Sequence, residues 1–152
     1  MNKEKLKYLS HLGFSIIPCS ETKVPIGAWK KYQTEKRNPD EIDLLNSPLY
    51  GIVTGYNVLD IDLKVIKNLS EQIDFWNEFI SFIKSNIYDF DEKFVIAKTK
   101  NKGYHILYRC KKIEGNKKIA KLKGQTEAIF ETRGIGGMVI LYDSFISKLD
   151  SY

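Results

Sequence analysis

Between Asn68 and Asn86 the chain carries one long amphipathic run, with Phe75, Trp76, Phe79, Ile80, Ile83 and Ile87 falling at i, i+3 and i+4 spacing. Asn68 or Ser70 starts it, and Glu71 stands three residues after Asn68 as in a capping box. A helix with one such stripe needs a surface to cover it. The partly aromatic stripe therefore reads as core rather than as a binding surface.

Most of the segments around that helix have the two-residue rhythm of strands. They are Phe14–Cys19, Gly51–Val53, Val58–Leu63, Phe94–Thr99, Tyr104–Cys110, Ala128–Thr132 and Met138–Tyr142. A short helix is expected over Glu4–Leu12, stopped by Gly13, and a second opens near Pro39 and carries Ile42, Leu44 and Leu45. Thr54-Gly55-Tyr56-Asn57 is a turn by composition. Strands and helices in irregular order predict an α+β fold, a central sheet with helices packed on it. With 152 residues the chain amounts to one domain.

Apolar residues at 43% and charged residues at 28% fit a packed globular core. No stretch approaches the roughly eighteen apolar residues of a membrane helix, and the start lacks the apolar centre of a signal peptide, so no membrane role and a cytoplasmic location are expected. Cys19 and Cys110 each lie in an apolar, strand-like run and are expected as buried free thiols. Two cysteines are too few for a cysteine-based zinc site.

The net charge of +5 is unevenly placed. From Lys98 to Lys123 ten basic residues face one acid, Glu114, a local +9 that leaves the rest of the chain at −4. Such a block suits either a solvated loop or the footprint of a polyphosphate or nucleic acid.

Three strands carry chemistry on one face. In Val58–Leu63 the alternation puts Leu59, Ile61 and Leu63 on one side and Asp60 and Asp62 on the other. Two carboxylates about 6.6 Å apart repel by about 2.5 kcal/mol at an effective dielectric near 20. A cation between them would relieve that repulsion. In Tyr104–Cys110, His105 shares a face with Leu107 and Arg109, after the donor-rich loop Thr99-Lys100-Asn101-Lys102-Gly103. In Ala128–Arg133, Glu131 and Arg133 lie opposite Phe130, just before Gly134-Ile135-Gly136-Gly137. Three carboxylates are common equipment for a pair of Mg²⁺ or Mn²⁺ ions about 3.5–4 Å apart.

The order Lys23-Val24-Pro25 with Trp29, Gly51-Ile52-Val53-Thr54-Gly55, Asp60-Ile61-Asp62, Gly103-Tyr104-His105 and Phe130-Glu131-Thr132-Arg133-Gly134 ending at Gly136-Gly137 resembles the bifunctional primase-polymerase (Prim-Pol) domain of the archaeo-eukaryotic primase superfamily. The resemblance spans about Gly13 to Leu141. It implies an RRM-like mixed sheet joined to a smaller α/β lobe, with the active site between them. It also implies a DNA primase or polymerase acting by two-metal nucleotidyl transfer, in replication of a phage, plasmid or other mobile element, or in repair.

By the resemblance Asp60, Asp62 and Glu131 bind two Mg²⁺ or Mn²⁺ ions, and His105 contacts the phosphates of the incoming nucleoside triphosphate. Arg133, Thr99, Lys100 and Lys102 are further candidates for the phosphates. Lys23, Lys111, Lys112, Lys117 and Lys118 are candidates for contact with a single-stranded DNA template. A helicase or helical accessory domain is the expected partner for template binding. Gly103 stands where the family often has serine, and Leu141-Tyr142-Asp143-Ser144 replaces a Pro-Ser continuation. Two other readings use the same residues: a two-metal nuclease, and a nucleic-acid or nucleotide-binding module that has lost catalysis.

Overall fold

The computed structural model describes residues 2–53, 57–112 and 115–142. It begins with helix α1 (Lys3–His11), strand β1 (Ser15–Cys19) and two 3₁₀ segments, Lys30–Gln33 and Pro39–Leu44. Strands β2 (Leu49–Val53) and β3 (Asn57–Ile61) follow, then the long helix α2 (Leu69–Asn86) and a single helical turn α3 (Phe90–Lys93). The remainder is β4 (Phe94–Lys98), β5 (Tyr104–Tyr108), β6 (Lys117–Lys121), β7 (Ala128–Arg133) and β8 (Met138–Ile140). None of the described helices is long and apolar enough to cross a membrane.

The local chemistry accounts for the helix ends. The Asn2 side chain accepts from the Glu4 amide at 2.9 Å, and the Asn68 side chain accepts from the Ser70 amide at 2.8 Å. Gly13, at φ +97°, closes α1 by donating its amide to Ser10. Of the expected turn, Thr54–Tyr56 lies outside the described residues, and Asn57 already belongs to β3.

The strands form a three-stranded sheet, β1-β2-β8, and a five-stranded sheet, β4-β5-β3-β7-β6. The class is α+β, and in place of a mixed sheet every ladder between these strands is antiparallel. On one face of the large sheet Ile61, Ile106 and Ile129 pack with Phe75, Trp76 and Phe79 of α2, so the aromatic stripe is largely core as expected. On the other face Val58, Ala97 and Leu107 meet Ile16, Ile52 and Val139 of the small sheet, with Leu6 and Leu9 of α1 completing that layer.

Three departures from the expected pattern have simple causes. Near Pro39 the segment is 3₁₀ rather than α; Ile42 is buried, whereas Leu44, two residues on, points away from the face that Ile42 buries and is 83% exposed. Cys110 is exposed rather than buried, since β5 ends at Tyr108 and leaves it in the following loop. Towards its end the basic segment forms β6, an edge strand whose lysines fit an unpaired border.

Candidate active site

β3 is the middle strand of the large sheet, and its register sets the site. Asp60 stands opposite His105 of β5 on one side and opposite Glu131 of β7 on the other. Such neighbours have Cβ atoms about 4.5–5.5 Å apart. The row ends at Ala97 of β4 and Lys118 of β6. One row over on the same face are Val95, Leu107, Val58 and Arg133. Val58 and Leu107 enter the layer between the sheets, so the face passes from apolar to charged along the strands.

Arg133 lies between the two carboxylates. Its Nη2 donates to Glu131 Oε2 at 2.6 Å and its Nε to Asp60 Oδ2 at 3.4 Å. His105, itself buried, places Nε2 3.5 Å from Asp60 Oδ1. Burial pushes the Asp60 carboxyl up, but the hydrogen bond and charge of His105, with the charge of Arg133, outweigh it and hold the group below the ordinary range.

Asp62 takes another arrangement. β3 ends at Ile61, and Asp62 caps a 3₁₀ turn, Leu63–Val65, by accepting from the Lys64 amide. Its other oxygen pairs with Lys64 Nζ at 2.9 Å, and Lys64 also reaches Glu127 at 3.6 Å. Asp62 keeps one tie to the sheet, its amide donating to Ile129 at 3.0 Å. Bonding to Asp62 raises the Lys64 pKa.

Two cavities meet at this group. The larger, about 450 Å³, lies between the sheets and is lined by Asp60, Asp62, His105 and Arg133, with Lys23, Pro25 and Trp29 on the wall opposite. Thr99, Asn101, Asn116 and Tyr142 also line it. The smaller, about 250 Å³, holds Glu131 and Lys118 and shares Asp60, Asp62, Lys64 and Arg133 with the first. Lys23, Thr99 and Lys118 are therefore brought to the site. Lys100, Lys111, Lys112 and Lys117 line neither cavity, and Lys102 lines a groove on the far side of the large sheet.

The sequence reading missed Lys64 and Asn116. Lys64 continues the alternation of Asp60 and Asp62 by one step, a signal that was present. Asn116 accepts from the Gly134 amide and packs on Gly137, pinning the glycine turn at the cavity edge, which no local pattern announces.

Gly103 is explained by its packing. A Cβ there would lie 2.3 Å from the Ile61 carbonyl oxygen, so the β4–β5 hairpin closes on β3 only with glycine. Its amide donates to Thr99 Oγ1 at 3.1 Å, which fixes the hydroxyl at the cavity in the absence of a serine.

The family model described as bifunctional DNA primase/polymerase, N-terminal (Prim-Pol), matches residues 5–152. The chain belongs to the Prim-Pol family. No curated protein matches it.

DNA and nucleotides are the substrates that a Prim-Pol domain implies. Among the described residues no three His, Cys, Asp or Glu side chains gather closely enough to hold a metal ion. In this Prim-Pol chain Asp60 and Glu131 instead share the Arg133 guanidinium, while Asp62 is held by Lys64. The donors still suit a hard divalent cation, being carboxylate oxygens, and the place between Asp60 and Glu131 already accommodates positive charge.

Proposed function

We propose that this Prim-Pol chain is a metal-dependent nucleotidyltransferase that adds nucleotides to a strand on a single-stranded DNA template, using the cavity centred on Asp60. The observation that carries the reading is the row His105–Asp60–Glu131 across three neighbouring strands, with one cation, Arg133, already between the carboxylates.

Asp60 and Glu131, joined by Asp62 once it exchanges Lys64, would hold the Mg²⁺ or Mn²⁺ ions. Bound there, divalent ions supply activation of the attacking 3′-hydroxyl and charge neutralisation at the leaving pyrophosphate. The chain's own groups do the rest. Arg133, displaced from the carboxylates, turns its guanidinium to the triphosphate, for which a planar fork of donors is suited. Lys64 and Lys23 add charge from opposite walls, and the Thr99 hydroxyl donates to a phosphate oxygen. His105, fixed by Asp60, donates to the phosphates. Pro25 and Trp29 form the apolar wall against which a base can rest. A volume near 450 Å³ lies within the range of small-molecule sites.

The test is incorporation of labelled nucleotide on a single-stranded template in Mn²⁺, with and without a primer, comparing the wild-type chain with an Asp60→Ala, Asp62→Ala double variant. Synthesis by the wild type that the variant lacks supports the reading. Degradation of the template without added nucleotide would assign the carboxylates to a nuclease. Salt-sensitive DNA binding retained by the variant, with no synthesis by either protein, would make the chain a binding module.

A further inference from the structure

Lys102 was expected at the nucleotide, yet it lies on the other side of the large sheet. The turn joining β4 to β5 is a partition: Thr99 and Asn101 line the Asp60 cavity, whereas Lys98 and Lys102 line a separate groove of about 490 Å³ against the start of α2. The wall of that groove includes Trp76 and Tyr104, stacked with ring centroids 3.5 Å apart and planes 7° from parallel. Its rim carries Leu69 and Ile73, one helical turn apart and 53% and 51% exposed. Gln72 also lines it; the side-chain amide donates to Ile66 at 2.6 Å, and Oε1 is buried without a partner among the described residues. The groove has two ammonium groups and no aspartate or glutamate in its lining.

An aromatic and aliphatic wall flanked only by positive charge suits an unpaired nucleic-acid strand, whose bases lie on apolar surface while its phosphates meet lysines. We infer that the groove between α2 and the β4–β5 hairpin binds a segment of single-stranded DNA outside the Asp60 cavity, bases against Trp76 and Ile73 and phosphates at Lys98 and Lys102. The inference rests on the proposed use of a single-stranded template at the Asp60 cavity, because the same hairpin separates the two places and a strand leaving one meets the other.

The chain's two tryptophans allow a direct test, since Trp29 lies at the Asp60 cavity and Trp76 at the groove. Trp29→Phe leaves Trp76 as the sole indole. Titration with an oligothymidylate should change Trp76 emission saturably. Ile73→Ser with Lys102→Asn should weaken that binding at least about fivefold, the scale of losing one base contact. Asparagine is chosen because Lys102 has φ +66°, a region asparagine tolerates, and both sites are exposed, so folding is preserved. Trp76 emission that stays constant while anisotropy shows a labelled oligothymidylate bound, or an unchanged affinity in the double variant, overturns the inference. Self-association of the chain that the Ile73 change abolishes, with Trp76 silent to DNA, would instead assign the groove to a second copy. Incorporation is scored on the wild-type chain, because Trp29 lines the Asp60 cavity. Nucleotide incorporation by the wild type with a silent Trp76 sinks the groove alone. A responsive Trp76 without incorporation by the wild type leaves the groove standing and removes the polymerase reading.

Discussion

Replacing Gly103 with alanine tests whether the β4–β5 hairpin is clamped on β3 as described. The added Cβ would sit 2.3 Å from the Ile61 carbonyl oxygen, 0.7 Å short of the 3.0 Å that such contacts need. The obstacle is backbone, between Asp60 and Asp62, so it does not rotate away; Gly103 or Ile61 has to move. Forced overpacking of this size costs about 1–3 kcal/mol, against a typical domain stability of about 5–15 kcal/mol. The variant is therefore expected to fold but to unfold at lower urea. Its effect on the site should be larger, because Tyr104 pairs with Ile61 and His105 with Asp60, so the displacement enters the His105–Asp60 contact directly. A shift near 1 Å at reacting groups is worth about 10²-fold in rate. Serine at this position meets the same carbonyl, so Gly103→Ser should behave like Gly103→Ala rather than gain a phosphate donor. The assays are urea unfolding followed by tryptophan emission and, at matched folded fraction, nucleotide incorporation. A Gly103→Ala protein within about 0.5 kcal/mol of wild type and equally active would refute the packing argument.

Arg133→Met should destabilise the chain by about 1–2 kcal/mol, since it leaves two half-buried carboxylates facing each other without their cation, and Mn²⁺ should restore more stability to this variant than to wild type; urea unfolding with and without Mn²⁺ measures both. The two thiols should separate on alkylation. Burial pushes the Cys19 thiol up to about 11, so only about one part in a thousand is thiolate at pH 8 even before access is considered, whereas Cys110 is exposed. One thiol should react in the native chain at pH 8 and two in denaturant, and a second native thiol reacting equally fast would contradict the packing around Cys19.

The Asp60 site was partly legible because its two-residue alternation survives folding: Leu59 and Ile61 pack on the α2 side and Asp60 faces the cavity. That His105 and Glu131 flank the same aspartate was not legible, since register between strands follows from topology and not from any one strand's pattern. Asp62 lines both cavities with Asp60, but the strand expected to carry it stops short. Extending the alternation past Ile61 made it a twin of Asp60, but its side chain captures the Lys64 amide and the strand ends there. β6 escaped notice because an edge strand tolerates lysines that a central strand would not. Lys102 could be assigned to a side only once the hairpin's fold was known.

The central claim, that Asp60, Asp62 and Glu131 form one site for divalent cations and a nucleoside triphosphate, is tested most directly by counting bound Mn²⁺ by electron paramagnetic resonance with a saturating, non-hydrolysable triphosphate. The account predicts about two ions per chain, with loss of binding in Glu131→Gln although the variant remains folded. Binding no greater than the free triphosphate takes up alone, or a count unchanged by Glu131→Gln, would contradict it.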